Sequence, residues 1–555
     1  MTLTDGTHTA EEDIKRASDF LRGDLSSELA NAEPSVSGSS EHLLKFHGVY
    51  SQDNRDVRRE RSLAGESLEY IFMVRVAIPG GKLSTDQWLS LDQIAGDIAD
   101  GTIRLTTRQA VQFHGVLKQG LRPMAFQLDA HLMTSFGACG DVVRNTVMCP
   151  SLIANAGDHR MLDMADRIAT TFKPATNAHW EIFVNGDKSA SRAYAEEHEF
   201  YGSTYLPRKF KIAIAHPSEN CVDVLAQDLG LIPAVHDTLG EGFNVVIAGG
   251  LGRSYAQPDT FARLADPLTF VTYDELDDVI RAVLATYRDL GDRTNRRRAR
   301  MKYVAADLGF DAFREQIEQR YGRALRDPLP ITFEDADDHL GWRRATDDSW
   351  QLGVRVGAGR VSDTGDGHGL RSALREIAQR FDVTFLITAQ QDLVITRIDE
   401  GDRATIDAVL AGHGVRSVDE LGAVERSALA CPALPTCSQA LGEAERKLPD
   451  LVSLVQSELD SNGLTKRRLQ LRMTGCPNGC ARPAVAEVGV VGRTKNSYDL
   501  YLGGGPRGDR LASLYQEKVK LDDIPGVLRP LLERWKTEGH ADESFGDFFV
   551  RAVDS

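Results

Sequence analysis

The chain reads as an α/β (α+β) protein made of two diverged copies of one unit, arranged with pseudo-twofold symmetry around a single site. Three ordered matches predict this. Ile103–His114 and Phe385–Thr396 each run as an extended apolar stretch, a Thr-x-x-Gln turn and a second apolar stretch. Upstream, Val74-Arg75-Val76 matches Val354-Arg355-Val356; downstream, Val246-Ile247-Ala248-Gly249-Gly250 matches Leu500-Tyr501-Leu502-Gly503-Gly504. One such match carries little weight, but three in the same order imply internal duplication.

Taken in order, residues 1–60 read as an arm. It holds a short helical stretch from Ala10 to Leu29 and the Ser/Pro/Gly-rich segment Glu33–Glu41. Copy one then occupies 61–135 and 136–330. A polar break, Arg326–Ser349, holds Pro328 and Pro330 and places a boundary near residue 335. Copy two follows as 331–420 and 421–555. At 555 residues the chain exceeds what one hydrophobic core supports.

Composition narrows the class. Hydrophobic residues at 42% and charged residues at 26% are ordinary for a globular protein. No apolar run reaches the ~18 residues of a bilayer-spanning helix, and the polar, acidic start lacks the pattern of a secretory signal. Seven cysteines, an odd number in a long chain, argue for a reducing cytoplasm over a disulfide scaffold. A formal charge of −16 disfavours nucleic acid as a ligand, so local basic clusters stand out.

The densest chemistry is a cysteine quartet: Cys431 and Cys437 in Cys-Pro-Ala-Leu-Pro-Thr-Cys, Cys476 and Cys480 in Cys-Pro-Asn-Gly-Cys. Four thiolates on irregular backbone suit a cubane iron–sulfur cluster. A structural zinc site or plain core cysteines are the competing readings, although the gap between Cys431 and Cys437 is wide for zinc. Cys139, Cys149 and Cys221 have no comparable pairing and read as ordinary buried thiols.

The copies differ usefully. Arg104, Arg108 and His114 in copy one become Leu386, Gln390 and Thr396 in copy two. Strand alternation sets Arg104, Thr106, Gln112 and His114 opposite Ile103, Leu105, Val111 and Phe113. Copy one thus offers a cationic face to one anionic ligand, while the quartet lies in copy two. Lys209 and Lys211 share a strand face in Arg208-Lys209-Phe210-Lys211-Ile212, either as a solvated surface or facing an anion. Arg75, in Phe72-Met73-Val74-Arg75-Val76, is costly to bury unless paired with an anion; Arg144 is a weaker case of the same kind. The runs at Gly249-Gly250 and Gly503-Gly504 allow close backbone approach to a ligand or a tight turn, without Rossmann spacing.

Ordered landmarks then identify a resemblance over nearly the full length. They are Lys45–Tyr50, Asp53–Asp56, Arg104–Gln109, Tyr205–Lys211, Thr474–Cys480 and Phe545–Phe548. The chain closely resembles the sirohaem sulfite and nitrite reductase family, in its NADPH-linked assimilatory branch. The resemblance implies a three-domain architecture: ferredoxin-like half-domains at 61–135 and 331–420, a sirohaem and substrate domain at 136–330, and an iron–sulfur domain at 421–555. It implies sirohaem coupled to a 4Fe–4S cluster, ligated by Cys431, Cys437, Cys476 and Cys480, with Cys480 shared with the haem iron. Arg75, Arg144, Lys209 and Lys211 correspond to the substrate cations. Arg104, Thr106, Arg108, Gln112, His114, Gly249, Gly250 and Asn478 correspond to the cofactor contacts.

The implied activity is six-electron reduction of sulfite to sulfide in the cytoplasm. Electrons would come from an NADPH-dependent flavoprotein subunit carrying FAD and FMN, in a possible hetero-oligomer, with no nucleic acid or membrane partner. A ferredoxin-dependent sulfite or nitrite reductase shares the site, and a non-redox iron–sulfur hydratase or structural metal protein is the different-class alternative. Ile71 stands four residues before Arg75, where the wider family has tyrosine, so no tyrosine–cysteine crosslink is inferred.

Overall fold

The computed structural model describes residues 8–154, 160–185, 200–364 and 368–553. Among them the strands assemble into four five-stranded sheets, which form two matched pairs. In the first pair, Val49–Asp53, Tyr70–Val76, Val111–Val116 and Ile103–Leu105 lie side by side in that order. Their counterparts are Gly341–Arg344, Trp350–Val354, Leu393–Ile398 and Thr384–Ile387.

The fifth strand of each sheet comes from the other copy. Arg360–Val361 of copy two pairs antiparallel with Ile103–Leu105, and Lys82–Ser84 of copy one pairs antiparallel with Thr384–Ile387. The helix after each donated strand packs behind the exchange: Ser84 caps Thr85–Asp97 with a capping box to Gln87. From that helix Trp88 stacks on Phe385 of the other copy, ring centroids 4.8 Å apart. Both rings are fully buried, a contribution of roughly 1.5–3 kcal/mol for a side chain such as Phe385.

The second pair carries the site. Val147–Met148, Ile212–Ile214 and Leu229–His236 run parallel, then Gly240–Ile247 and Asp266–Thr272 antiparallel. Leu429–Ala430, Leu471–Thr474 and Val488–Thr494, followed by Ser497–Leu502 and Ser513–Val519, repeat that pattern. The hydrophobic core runs unbroken from Leu21 to Leu410, and the last segment has a core of its own.

Equivalent residues meet at the pseudo-twofold axis. Gln109 and Gln391, the glutamines of the two Thr-x-x-Gln turns, both have left-handed backbones (φ 51° and 68°). Gln109 donates through Nε2 to the Ile387 carbonyl at 2.7 Å, and Gln391 reciprocates to that of Leu105 at 3.5 Å. Asp223 and Arg482, also equivalent and both left-handed, form an ion pair of 2.9 Å across the axis.

Several expectations shift. Val76 and Val354 face the equivalent Val111 and Leu393, so Arg75 corresponds to Gly353, not Arg355. Arg355 instead pairs with buried Asp392 at 2.9 Å. The repeated Val-Arg-Val triplet is therefore out of register by two residues. Likewise Ile247 and Leu502 occupy equivalent ladder positions, so Ala248 rather than Gly249 matches Gly503, both with positive φ. The segment assigned to the arm contributes a sheet strand, Val49–Asp53. The helix expected from Ala10 to Leu29 is two helices, Ala10–Arg16 and Leu25–Ala30, broken where Asp19, Phe20 and Leu21 turn left-handed. Strand Gly341–Arg344 lies inside the expected polar break.

Candidate active site

Cys431 follows directly on strand Leu429–Ala430, and its Sγ accepts the Gly475 N–H at 3.3 Å. Gly475 has no room for a Cβ, which would meet the Gly442 carbonyl and the Ala433 side chain at 2.6 Å. The carbonyl of Cys437 accepts Arg55 Nη1 at 3.0 Å, tying the cysteine loop to the first copy. Left-handed Gly479 (φ 66°) turns the chain between Cys476 and Cys480. Asn478 hydrogen-bonds Cys476 through backbone and side chain.

Burial and mutual repulsion with Cys480 push the thiols of Cys431, Cys437 and Cys476 up, so the set needs an electropositive centre to become thiolate. Among the described residues, no three of these cysteines bring their sulfurs within 4.8 Å of one another. Tetrahedral zinc would hold sulfurs about 3.8 Å apart, given a metal–sulfur bond of about 2.3 Å. The quartet is too wide for one ion and suits a multi-iron cluster.

Across from it lie the cations. Arg75, Gln112 and Arg104 are direct cross-strand neighbours, so one row on one sheet face carries all three. Lys209 and Lys211 precede strand Ile212–Ile214, and the Lys211 N–H is fixed by Asp228 Oδ2 at 2.9 Å. The same carboxylate takes the Arg300 guanidinium at 2.8 Å. Burial, then Arg300 and Arg108, lowers Lys211 to about 7. Burial, then Lys211, Arg208, Arg300 and Arg144, holds Lys209 well below the usual ammonium range. Neither lysine enters an ion pair among the described residues. Burial and Arg144 bring Arg108 down to about 9. Asp228 offsets part of this charge, and among the described residues positive groups still outnumber negative ones here.

The two constellations meet. Thr107 Oγ1 donates to the Cys480 carbonyl at 3.0 Å, and the Cys480 sulfur interacts electrostatically with both Arg75 and Lys211. Cys480 and Asn478 are exposed to the recess, which Arg75, Arg108, Arg144, Lys209 and Lys211 line half-buried. Unpartnered buried polar atoms point to a missing polar ligand: Nε of Arg75 and of Arg108, both ring nitrogens of His114 and Oδ1 of Asn145. Burial and the nearby Arg360 and Arg104 keep His114 neutral. A macrocycle fringed with carboxylates fits this lining, and a thiolate-bridged cluster fits the facing quartet.

Not every expected contact faces the recess. Arg104 is held by Glu445 at 2.8 Å and by the carbonyls of Ala358 and Ala430. Thr106 Oγ1 accepts the N–H groups of Arg108 and Ala110, and Gln112 reaches Met73 Sδ at 3.4 Å. A Cβ on Gly249 would meet the Leu225 carbonyl at 2.2 Å, so its close approach is to protein backbone. One on Gly250 would meet the Arg300 guanidinium at 3.0 Å. Tyr50, Asn145, Asp228 and Arg300 were not singled out from sequence. Tyr50 lies against Arg75, whose Nη1 donates to Cys139 Sγ at 3.0 Å. The landmark Lys45–Tyr50 was the available signal for Tyr50.

Among the described residues no helix is long and apolar enough to cross a membrane. Residues 65–131 match the Nitrite/Sulfite reductase ferredoxin-like half domain, and residues 163–325 match the Nitrite and sulphite reductase 4Fe-4S domain. The chain is 42% identical to the NADPH sulfite reductase hemoprotein beta-component of Myxococcus xanthus, over 98% of this chain and 96% of the relative. It is 41% identical to the protein of that name in Geobacillus thermodenitrificans, over 99% and 96%. It is 40% identical to the ferredoxin sulfite reductase of Synechococcus elongatus, over 97% and 89%. The fold is that of the NirA protein of Mycobacterium tuberculosis, with a TM-score of 0.78 at 24% identity, covering 98% and 97% of the two chains.

Proposed function

We propose, from the premise that this chain belongs to the nitrite and sulfite reductase family, that its recess is where sulfite is reduced to sulfide. The chain is the sirohaem- and cluster-bearing subunit of a sulfite reductase. One observation carries the reading: Cys480, last of the quartet, opens into the recess lined by Arg75 and Lys211.

Cys431, Cys437, Cys476 and Cys480 would hold the cluster, with Cys480 shared with the haem iron. Arg108 and His114 would meet the sirohaem carboxylates, Gln112 would act from behind through Met73, and Asn478 would line the cluster side. Arg104 and Thr106 would act from behind, through the Glu445 clamp and the turn at Arg108, while Gly249 and Gly250 keep that wall close-packed. When bound, the coupled centres supply electrons singly to the sulfur.

The chain's own residues do the rest. Arg75 and Arg144 clamp the oxyanion with their guanidinium groups. Sulfite between them and the lysines restores the missing counter-charge, which raises both lysine pKa values. Lys211 then yields one of the two protons with which an oxygen leaves as water, the second coming from solvent, and Lys209 holds the next water in place.

The donor reading is an NADPH-dependent flavoprotein partner in the cytoplasm, supported by the Myxococcus and Geobacillus relatives and by seven free cysteines. The 40% identity to a ferredoxin-linked enzyme supports a second donor reading. Purified holoprotein is expected to show haem absorption, release sulfide from sulfite, and turn over with NADPH and the flavoprotein. Turnover with reduced ferredoxin alone reassigns the donor, and absence of haem absorption from cofactor-replete protein removes the reading altogether.

A further inference from the structure

The same pseudo-symmetry that aligns the copies gives the cysteine quartet a counterpart. Cys149 follows strand Val147–Met148 as Cys431 follows Leu429–Ala430. The Cys149 N–H reaches the Ile214 carbonyl at 2.9 Å, as that of Cys431 reaches Met473 at 3.2 Å. Cys221 lies two residues before left-handed Asp223, as Cys480 lies two residues before left-handed Arg482. Copy one thus keeps cysteine at two of the four cluster positions. Pro217 and Glu219 stand where copy two has Cys476 and Asn478.

Cys149 and Cys221 are buried thiols as expected, but they are not isolated from one another. These sulfurs, a Glu219 carboxylate oxygen and a His339 ring nitrogen all lie within 4.8 Å of one another, and all four residues are buried. His339 reaches in from copy two on a left-handed backbone (φ 59°), a conformation uncommon outside glycine. Its Nε2 stands 2.9 Å from Glu219 Oε1. Cys149 Sγ lies 3.5 Å from the same oxygen.

We propose that Cys149, Glu219, Cys221 and His339 form a closed zinc site that pins copy two to copy one. Three arguments converge. The donor set is two thiolates, an imidazole and a carboxylate, which suits tetrahedral zinc with no open position. The donors are close enough for one ion, unlike the wider quartet. The groups behind them suit a metal site: Ser151 Oγ donates to Glu219 Oε2 at 3.0 Å, and Asp337 accepts the His339 backbone N–H through Oδ1 at 3.2 Å while its Oδ2 faces Nδ1 electrostatically at 3.8 Å. A cavity of about 120 Å³ bordered by Pro150, Ser151, His339 and Arg343 gives the ion a way in. On binding, Zn²⁺ displaces to solvent the thiol protons of Cys149 and Cys221 and the imidazolium proton that Cys149 and Glu219 favour on His339; no electron moves.

The test is elemental analysis and zinc-edge X-ray absorption of the holoprotein, which iron does not obscure. The expected result is one zinc per chain, with two sulfurs at about 2.3 Å and two nitrogen or oxygen atoms at about 2.0 Å. Cys221→Ser and, separately, His339→Gln are expected to lose the zinc while iron content and haem absorption persist. Asp337→Asn is expected to weaken zinc about 10–100-fold against a competing chelator. Zinc-free protein from zinc-replete cells, zinc unchanged in both ligand variants, or a Cys149–Cys221 disulfide in freshly denatured protein overturns the proposal.

Discussion

The two copies share a scaffold and divide the labour. Strand for strand the sheets match in order and direction, yet copy one bears a surplus of half-buried cations and copy two bears thiols that burial and neighbouring cysteines keep protonated. Each half is electrostatically unfinished. Divergence placed cations at Arg75, Lys209 and Lys211 of copy one and four cysteines in copy two, at positions the shared scaffold does not make equivalent, and the two groups meet near the axis. The lesson is that the working site follows from broken symmetry, while the fold follows from symmetry kept.

That comparison can be pressed from its strongest consequence down. Cys437→Ser removes one thiol of the quartet proposed to hold the cluster, and sulfite turnover together with the cluster's spectroscopic signal is expected to vanish. Retention of both would show that the quartet is not the cage. Asp223→Ala leaves the guanidiniums of Arg472 and Arg482 buried without their shared carboxylate, which lies 2.7 and 2.9 Å away. The expected loss is roughly 3–5 kcal/mol in denaturant unfolding.

Lys209→Ala in copy one is expected to cut kcat by about 10²–10³-fold with sirohaem and cluster retained. Loss of sirohaem would make Lys209 a cofactor residue instead. Lys211 titrates near about 7, below the ordinary ammonium, so its charge fades as pH rises through that value. Sulfite kcat/KM should fall on that alkaline limb, and Lys211→Arg should move the limb upward. In the cofactor-free fold the same group opposes folding fully below about pH 7, where both states are protonated; above it the unfolded chain binds more protons. That cost is relieved as pH climbs toward about 10.4. Finally, Gln109→Ala should cost about 1 kcal/mol more than Gln391→Ala. Gln109 makes short bonds to Met148 and Ile387, whereas its mate makes one long bond.

Much of this was legible in the chain itself. Duplication showed through the Thr-x-x-Gln turns because their left-handed glutamines perform the same reciprocal task, and the cysteine pairs announced themselves by proximity in sequence. The misses have a common cause. Residue likeness suggested that Arg75 matches Arg355, but strand register is set by the ladder, and a triplet can slide along it. Cys149 and Cys221 lie far apart in the chain and meet only because parallel strands bring their ends together. The capture of Arg104 by Glu445 spans the two copies, and neither local sequence contains it.

The traded edge strands carry one more implication. A copy severed near residue 335 would keep a donated strand with nowhere to lodge and expose an open sheet margin that invites foreign pairing. Assembly of the prosthetic chamber must therefore wait for the whole chain to leave the ribosome and clasp. Expressing the halves as separate polypeptides should give soluble material only when both are made together.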